Sequence, residues 1–216
     1  NADPKGPATT PDGDTLPEQE VDPRSQSFQR LVRVELPVDQ LREERIPQRV
    51  ADVILTFKRI EDKLPDFTGR ANDYYRGYLG INRSYLQWSR EEAEHSNAAG
   101  LILENSGFMT QDQLMADYYE NLASTWEMPF PTQRQMVVYA YFQELLTAQN
   151  YLALRSRLLN TDAKVAAQIL GLIAGDESYH GSGYLQFTKA FHAVDPEGTR
   201  QDVLHVASNF RMPAVH

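Results

Sequence analysis

A lone Glu followed about thirty residues later by Glu-x-x-His occurs twice in this chain, first as Glu61 with Glu92-Ala93-Glu94-His95, then as Glu144 with Glu177-Ser178-Tyr179-His180. The gaps are nearly equal: 31 residues separate Glu61 from Glu92, and 33 separate Glu144 from Glu177. A repeated set of four carboxylates and two imidazoles restricts the fold to one that brings these positions to a common place.

The positions of these residues within apolar patterns indicate helices. Tyr74, Tyr78, Ile81, Tyr85, Trp88, Glu92, His95, Ala99 and Ile102 advance by alternating steps of four and three, the inward seam of a helix in a bundle. Ala166, Ile169, Ile173, Glu177, His180, Tyr184, Phe187 and Phe191 repeat the rhythm. Glu61 continues the stripe Val50, Val53, Ile54, Phe57, and Glu144 follows Val137, Ala140 and Tyr141. All six polar residues are thus expected to point into the core. A Glu from each of two helices and a Glu-x-x-His from each of two others is the inward ligand set of a ferritin-like di-metal bundle.

Buried carboxylates without compensation cost several kcal/mol each, so four facing one core either stay protonated or hold strong positive charge between them. Two metal ions supply that charge. Mixed oxygen and nitrogen donors suit iron or manganese, and the absence of Cys excludes iron–sulfur and zinc-thiolate sites. The alternative is a metal-free polar network inside the bundle. His192, His205 and His216 have no such partners and are read as surface or packing residues.

The chain has 216 residues, a formal charge of −9 and 41% hydrophobic residues, enough for one domain with a bundle core. The acidic balance argues against nucleic-acid binding, which needs clustered Lys and Arg. No apolar run approaches the length of a membrane span. Zero Cys fits a reducing compartment. Residues 1–25 hold six acids against Lys5 and Arg24, and five prolines, so residues 1–28 read as an extended leader preceding a helical domain over 29–216. Having only Leu16 and Val21 as apolar anchors, the leader is expected to be ordered by the bundle surface or by a partner chain, with a homodimer as one form of that partnership. The first residue, Asn1, points to a processed or partial chain.

The fold class is all-α: a ferritin-like four-helix core with extra helices and the leader. A Val/Leu stretch around Leu31–Leu36 is of undecided type. Helices are expected over about Gln48–Lys63, stopped by Leu64-Pro65, then Arg70–Asn105, Gln111–Ser124, Thr132–Leu159, a helix to Val194 capped by Asn160-Thr161-Asp162, and Glu197–Asn209.

From Ile46 onward the chain resembles the soluble acyl-acyl-carrier-protein desaturases. The resemblance is carried by Ile46-Pro47, Glu61-Asp62-Lys63-Leu64-Pro65, Trp88-Ser89-Arg90-Glu91-Glu92-Ala93-Glu94-His95 and Phe142-Gln143-Glu144-Leu145-Leu146-Thr147. It continues in Ile173-Ala174-Gly175-Asp176-Glu177-Ser178-Tyr179-His180, Asp195-Pro196-Glu197-Gly198-Thr199 and Met212-Pro213-Ala214, in family order and spacing. It implies two iron ions, with Glu61 and Glu144 as terminal ligands, Glu92 and Glu177 bridging, and His95 and His180 completing one iron each. It also implies a Thr147 hydroxyl on the oxygen-binding side and Asp176 as an acid relaying electrons to the metals.

The implied reaction draws electrons from a ferredoxin-type donor and uses O2 to place a cis double bond in a fatty acyl chain borne by acyl-carrier protein. C14–C18 chains are the expected substrates, and plastid stroma or bacterial cytoplasm the expected setting. Lys58, Arg59, Lys63 and Arg70 are a candidate basic patch for the acidic carrier, or simply solvated helix ends. The seam residues Tyr78, Ile81, Tyr85, Trp88, Tyr141, Ala148 and Tyr184 are expected to line a water-poor substrate cavity or to fill the core. Family members in plastids carry a longer N-terminal region with a tryptophan on the proposed electron route and continue beyond the Met-Pro-Ala block, and neither feature has a counterpart here. A different ferritin-like di-iron oxidase and a non-catalytic accessory subunit are the alternative readings.

Overall fold

The computed structural model describes residues 37–213. The leader, the Leu31–Leu36 stretch, Ala214 and His216 lie outside the described residues. Eight helices run through them in the order α1 (Val38–Leu41), α2 (Gln48–Glu61), α3 (Leu64–Tyr75), α4 (Leu79–Asn105), α5 (Gln111–Leu122), α6 (Gln133–Leu159), α7 (Lys164–Val194) and α8 (Pro196–Asn209). No strand occurs among the described residues. The architecture is an all-α ferritin-like bundle: α6 packs along α7, α2 and α3 lie on α4, α4 meets α7, and α8 closes over α6 and α7.

The core has two apolar halves. One joins Val50, Ile54 and Phe57 of α2 to Ile102 and Leu103 of α4, Tyr151 and Leu158 of α6, and Ile169 and Ile173 of α7. The other joins Phe67 and Tyr75 of α3 to Tyr85 and Trp88 of α4, Val137 and Tyr139 of α6, and Tyr184 of α7. On α4, α6 and α7 the apolar seam is interrupted at the same level, and there the buried residues are polar: Glu91 to Ser96, Gln143 to Thr147, and Asp176 to His180. Glu61, the last residue of α2, stands at that level too. The helices run far enough on both sides of this belt for the aliphatic and aromatic halves to hold it in register.

Several local expectations are corrected. The span Arg70–Asn105 is two helices, not one, because Arg76, Gly77 and Tyr78 interrupt it. Gly77 is a poor helix former, and a tertiary bond satisfies the Tyr74 carbonyl left open at the break, while Tyr75 ties the break to the start of α6. Gln133 Nε2 donates to the Tyr74 carbonyl at 2.6 Å, and the Tyr75 hydroxyl donates to the Gln133 carbonyl at 3.1 Å. Tyr74 and Tyr78 therefore do not share a helical seam with Trp88. Pro65 ends α2 as expected but also opens α3 from within its first turn, where its missing N–H is no loss. Val53 is 38% exposed and leaves the α2 stripe to Val50, Ile54, Phe57 and Glu61.

The start of α7 is another correction. Asp162 gives it no side-chain cap. The buried Glu44 does so from about 120 residues upstream, accepting from Val165 N at 2.5 Å and Ala166 N at 3.0 Å. Thr110 and Gln113 form a reciprocal capping box on α5, and Asp195 caps α8 through Gly198 N.

The proposed basic patch does not exist as a surface. Lys58 is buried and pairs with Asp62 at 2.6 Å. Arg59 donates to Asp117, with Nε 2.9 Å from Oδ1. Lys63 is buried and donates to the carbonyls of Asn121 and Ser124. Arg59 and Lys63 fasten the α2 end to α5 and the chain after it. Arg70 is exposed over the Tyr74 ring, and Arg59 keeps part of its side chain in solvent while it pairs with Asp117.

Candidate metal centre

Each of the six repeated residues is buried, from His95 at 0% exposure to His180 at 6%. The bundle brings all six together. Glu61, Glu92, His95 and Glu177 form one group, and Glu92, Glu144, Glu177 and His180 a second, the donor atoms of each lying within 4.8 Å of one another. Glu92 and Glu177 belong to both groups. The i, i+3 spacing sets Glu and His on one helical face, and the antiparallel facing of α4 and α7 interleaves the two pairs.

Both imidazoles turn Nδ1 toward the carboxylates. His95 Nδ1 lies 3.2 Å from Glu177 Oε1 and 3.4 Å from Glu92 Oε2. His180 Nδ1 lies 3.0 Å from Glu92 Oε1 and 3.3 Å from Glu144 Oε2. The outward Nε2 atoms meet acids on the opposite helix: His180 faces Glu91 Oε2 at 2.6 Å, and His95 faces Asp176 Oδ2 at 3.5 Å. Each acid immediately precedes the Glu of its own Glu-x-x-His, so the two partnerships cross. The hydrogen bond to Glu91 fixes one ring nitrogen of His180 and leaves the other free for a metal, whereas His95 Nε2 and Asp176 Oδ2 face each other without a hydrogen bond.

The terminal carboxylates are held as well. Trp88 Nε1 donates to Glu144 Oε1 at 2.9 Å, and the Tyr151 hydroxyl lies 3.4 Å from Glu61 Oε1. Burial keeps the Tyr151 hydroxyl protonated, raising it well above its ordinary range. Trp88 itself packs on Tyr85 at 4.6 Å and edge-on to Phe67 and Tyr184.

Electrostatically the cluster is unbalanced as a protein-only assembly. Burial, reinforced by neighbouring carboxylates, pushes Glu61 and Glu144 well above the usual carboxylate range. Burial opposes charge on His95 and His180, yet the surrounding acids hold both well above the ordinary imidazole range. Burial also works against charge on Glu92, but the histidines beside it outweigh that and hold it well below its ordinary value. Buried atoms without hydrogen-bond partners include Glu92 Oε1, Glu144 Oε2, Glu177 Oε1 and the Nδ1 atoms of His95 and His180. Such atoms are rare in a self-satisfied core, and here they converge on one space. A pair of hard or borderline cations with oxygen and nitrogen ligands fits this donor set.

The remaining candidates fall differently. Asp176 is buried against His95. Thr147 is buried, but its hydroxyl donates to the Gln143 carbonyl one turn back at 2.8 Å. Sequence reasoning did not single out Glu91, Trp88 or Tyr151 as partners of the centre. Glu91 alone left a signal, since both motifs read acid-Glu-x-x-His. Of the expected cavity residues, Ile81, Tyr85, Trp88 and Tyr184 line a cavity of about 300 Å³ beside His180, whereas Tyr78, Tyr141 and Ala148 do not. His192 and His205 are exposed, the latter edge-on to Phe130.

Fold and site together define a ferritin-like helical protein with two buried, overlapping carboxylate–histidine groups able to bind metal. The chain belongs to the fatty acid desaturase family, whose model matches residues 10–216. It is 26% identical over 162 residues to acyl-[acyl-carrier-protein] desaturase 4, chloroplastic, of Oryza sativa subsp. japonica. That match covers 71% of this chain and 38% of the rice protein, so the chain spans well under half the length of this relative. Among the described residues no helix is long and apolar enough to cross a membrane.

Proposed function

We propose that the chain is an acyl-acyl-carrier-protein desaturase-type oxidoreductase that holds two iron ions. The observation that carries this reading is the convergence of six buried donors into two groups sharing Glu92 and Glu177. In it Glu61 and His95 would hold one iron and Glu144 and His180 the other, with Glu92 and Glu177, common to both groups, shared between them. Iron bound there supplies activation of O2 for attack on an unactivated C–H bond. Removing two hydrogens from the chain and reducing O2 to two waters requires two further electrons and two protons, the electrons coming from a ferredoxin-type donor.

The chain's own residues do the positioning. Glu91 holds His180 in the orientation that presents Nδ1 inward, and Asp176 faces the outer nitrogen of His95 at 3.5 Å. Trp88 and Tyr151 fix Glu144 and Glu61. The aromatic half of the core packs against the Glu144 side of the centre and would limit water there. Thr147, freed from the Gln143 carbonyl by rotation about χ1, would donate a proton into this space, and Thr147→Val should then lower product formed per O2 consumed.

The test supplies the iron-loaded chain with reduced ferredoxin, O2 and saturated acyl-carrier proteins of eight to eighteen carbons. A mono-unsaturated product is the expected outcome. Reduction of O2 with no desaturated or hydroxylated acyl product at any length would leave a different di-iron oxidase as the reading, and no uptake of iron would leave an accessory role.

A further inference from the structure

Five of the six donors stand inside long helices: Glu92 and His95 in the 27 residues of α4, Glu144 in the 27 of α6, and Glu177 and His180 in the 31 of α7. Glu61 differs, being the last residue of the 14-residue α2. Helix ends fray, so a ligand placed there needs an anchor beyond its own helix. On one side of this helix end a cavity of about 760 Å³ opens between α2, α3, α4 and α5 and reaches Glu61, so close packing does not hold it there. Three buried polar residues in the cavity wall join α2 to α4 instead. The Ser96 hydroxyl donates to Asp62 Oδ1, and Lys58 Nζ donates to Asp62 Oδ2 at 2.6 Å. Both carboxylate oxygens of Asp62 are thus engaged.

We propose that Asp62, bonded by Ser96 and neutralised by Lys58, is a positioning residue that sets Glu61 against His95. The inference rests on the metal-centre reading above. Asp62 directly follows Glu61, and Ser96 directly follows His95. Glu61 and His95 belong to one donor group, their ligand atoms within 4.8 Å of each other. The bond between Asp62 and Ser96 therefore ties together the chain neighbours of two donors to the same metal. Without it Glu61 keeps the last turn of α2, where Asp62 N donates to the Lys58 carbonyl at 2.8 Å, and the 3.4 Å contact with Tyr151. Lys63 is no substitute, since its bonds to Asn121 and Ser124 lead to α5 and the chain after it rather than to α4. Lys58 supplies the charge that a buried Asp62 carboxylate requires. Glu144, inside α6 and bonded by Trp88, depends on none of these residues, so the effect is confined to one donor group.

Anaerobic titration of the full chain with Fe2+ against a calibrated chelator gives two stepwise affinities. Ser96→Ala removes one hydroxyl and leaves a good helix former in α4. It should weaken one step about tenfold, the lower end of what supporting groups contribute to metal affinity. The other step should stay within about twofold, as uncoupled positions do. Ser96→Thr restores the hydroxyl, with the cavity to take its methyl group, and should return both steps to their original values. Glu61→Ala keeps the complete group of Glu92, Glu144, Glu177 and His180. Adding Ser96→Ala to it should change iron affinity by no more than about twofold, because the ligand being positioned is gone. A general loosening of the fold would weaken binding in both backgrounds. Unchanged affinities in Ser96→Ala, equal loss at both steps, no recovery in Ser96→Thr, or a further tenfold loss in the double variant would each overturn the proposal and leave the metal reading standing. An unaltered chain that takes up no Fe2+ removes the metal reading and the proposal with it.

Discussion

Glu91 lies 2.6 Å from His180 Nε2 although it sits on the other Glu-x-x-His helix, directly before Glu92. With Asp176 against His95 Nε2, it makes the support of the centre reciprocal between α4 and α7. Outer carboxylates of this kind typically contribute 10–100-fold to metal affinity. Glu91→Ala should lower iron affinity by roughly that factor, with Glu91→Gln recovering part of it, as read by competition with a calibrated chelator. Unchanged affinity in Glu91→Ala would show the contact to be packing alone.

The two carboxylates common to both donor groups should matter more. Glu92→Ala and Glu177→Ala are each expected to leave less than one iron per chain while circular dichroism stays helical, because each change removes a ligand of both sites. Retention of two irons by either variant argues against bridging.

Stability should depend on pH in opposite ways with and without metal. Glu61, Glu144, His95 and His180 all have raised pKa values in the metal-free fold, so the folded chain binds more protons than the unfolded one above the ordinary carboxylate range. That contribution is fully present at low pH and is lost as the pH rises, so the chelated protein should weaken between about pH 5 and pH 8. Glu92, depressed, acts in the other direction, but only below the ordinary carboxylate range. Iron takes the deprotonated ligands, so its stabilisation grows over the same window. Urea midpoints at three pH values, with and without chelator, measure the difference. A chelated midpoint that climbs with pH contradicts the assignment.

Glu44→Ala tests a contact remote from the centre. It removes both acceptors from the first turn of α7, whose Val165 and Ala166 amides are buried. A loss of about 1–3 kcal/mol is expected from cap removal and unsatisfied donors. Iron stoichiometry should remain two per chain, since the centre lies more than two turns further along α7. A stability change below about 0.5 kcal/mol would show that water replaces the cap.

The recurring Glu and Glu-x-x-His positions were legible because helical periodicity is a local property: a residue in phase with an apolar seam faces inward wherever the helix packs. That reasoning reached the bundle, the burial of all six donors and most helix ends. It failed where a distant group settled a local choice. Gln133 satisfies the carbonyl that lets the chain break after Tyr75, and Glu44 caps α7 in place of Asp162. Lys58 and Lys63 read as surface charge, but their partners Asp62 and the Ser124 carbonyl hold them inside, and Arg59, half exposed, is tied to Asp117. The pairing of Glu91 with His180 also belongs to tertiary structure alone. Which ring nitrogen meets which acid, and whether aromatic side chains fill a space or line it, depends on how α4 and α7 face each other, and no periodicity within one helix carries that information.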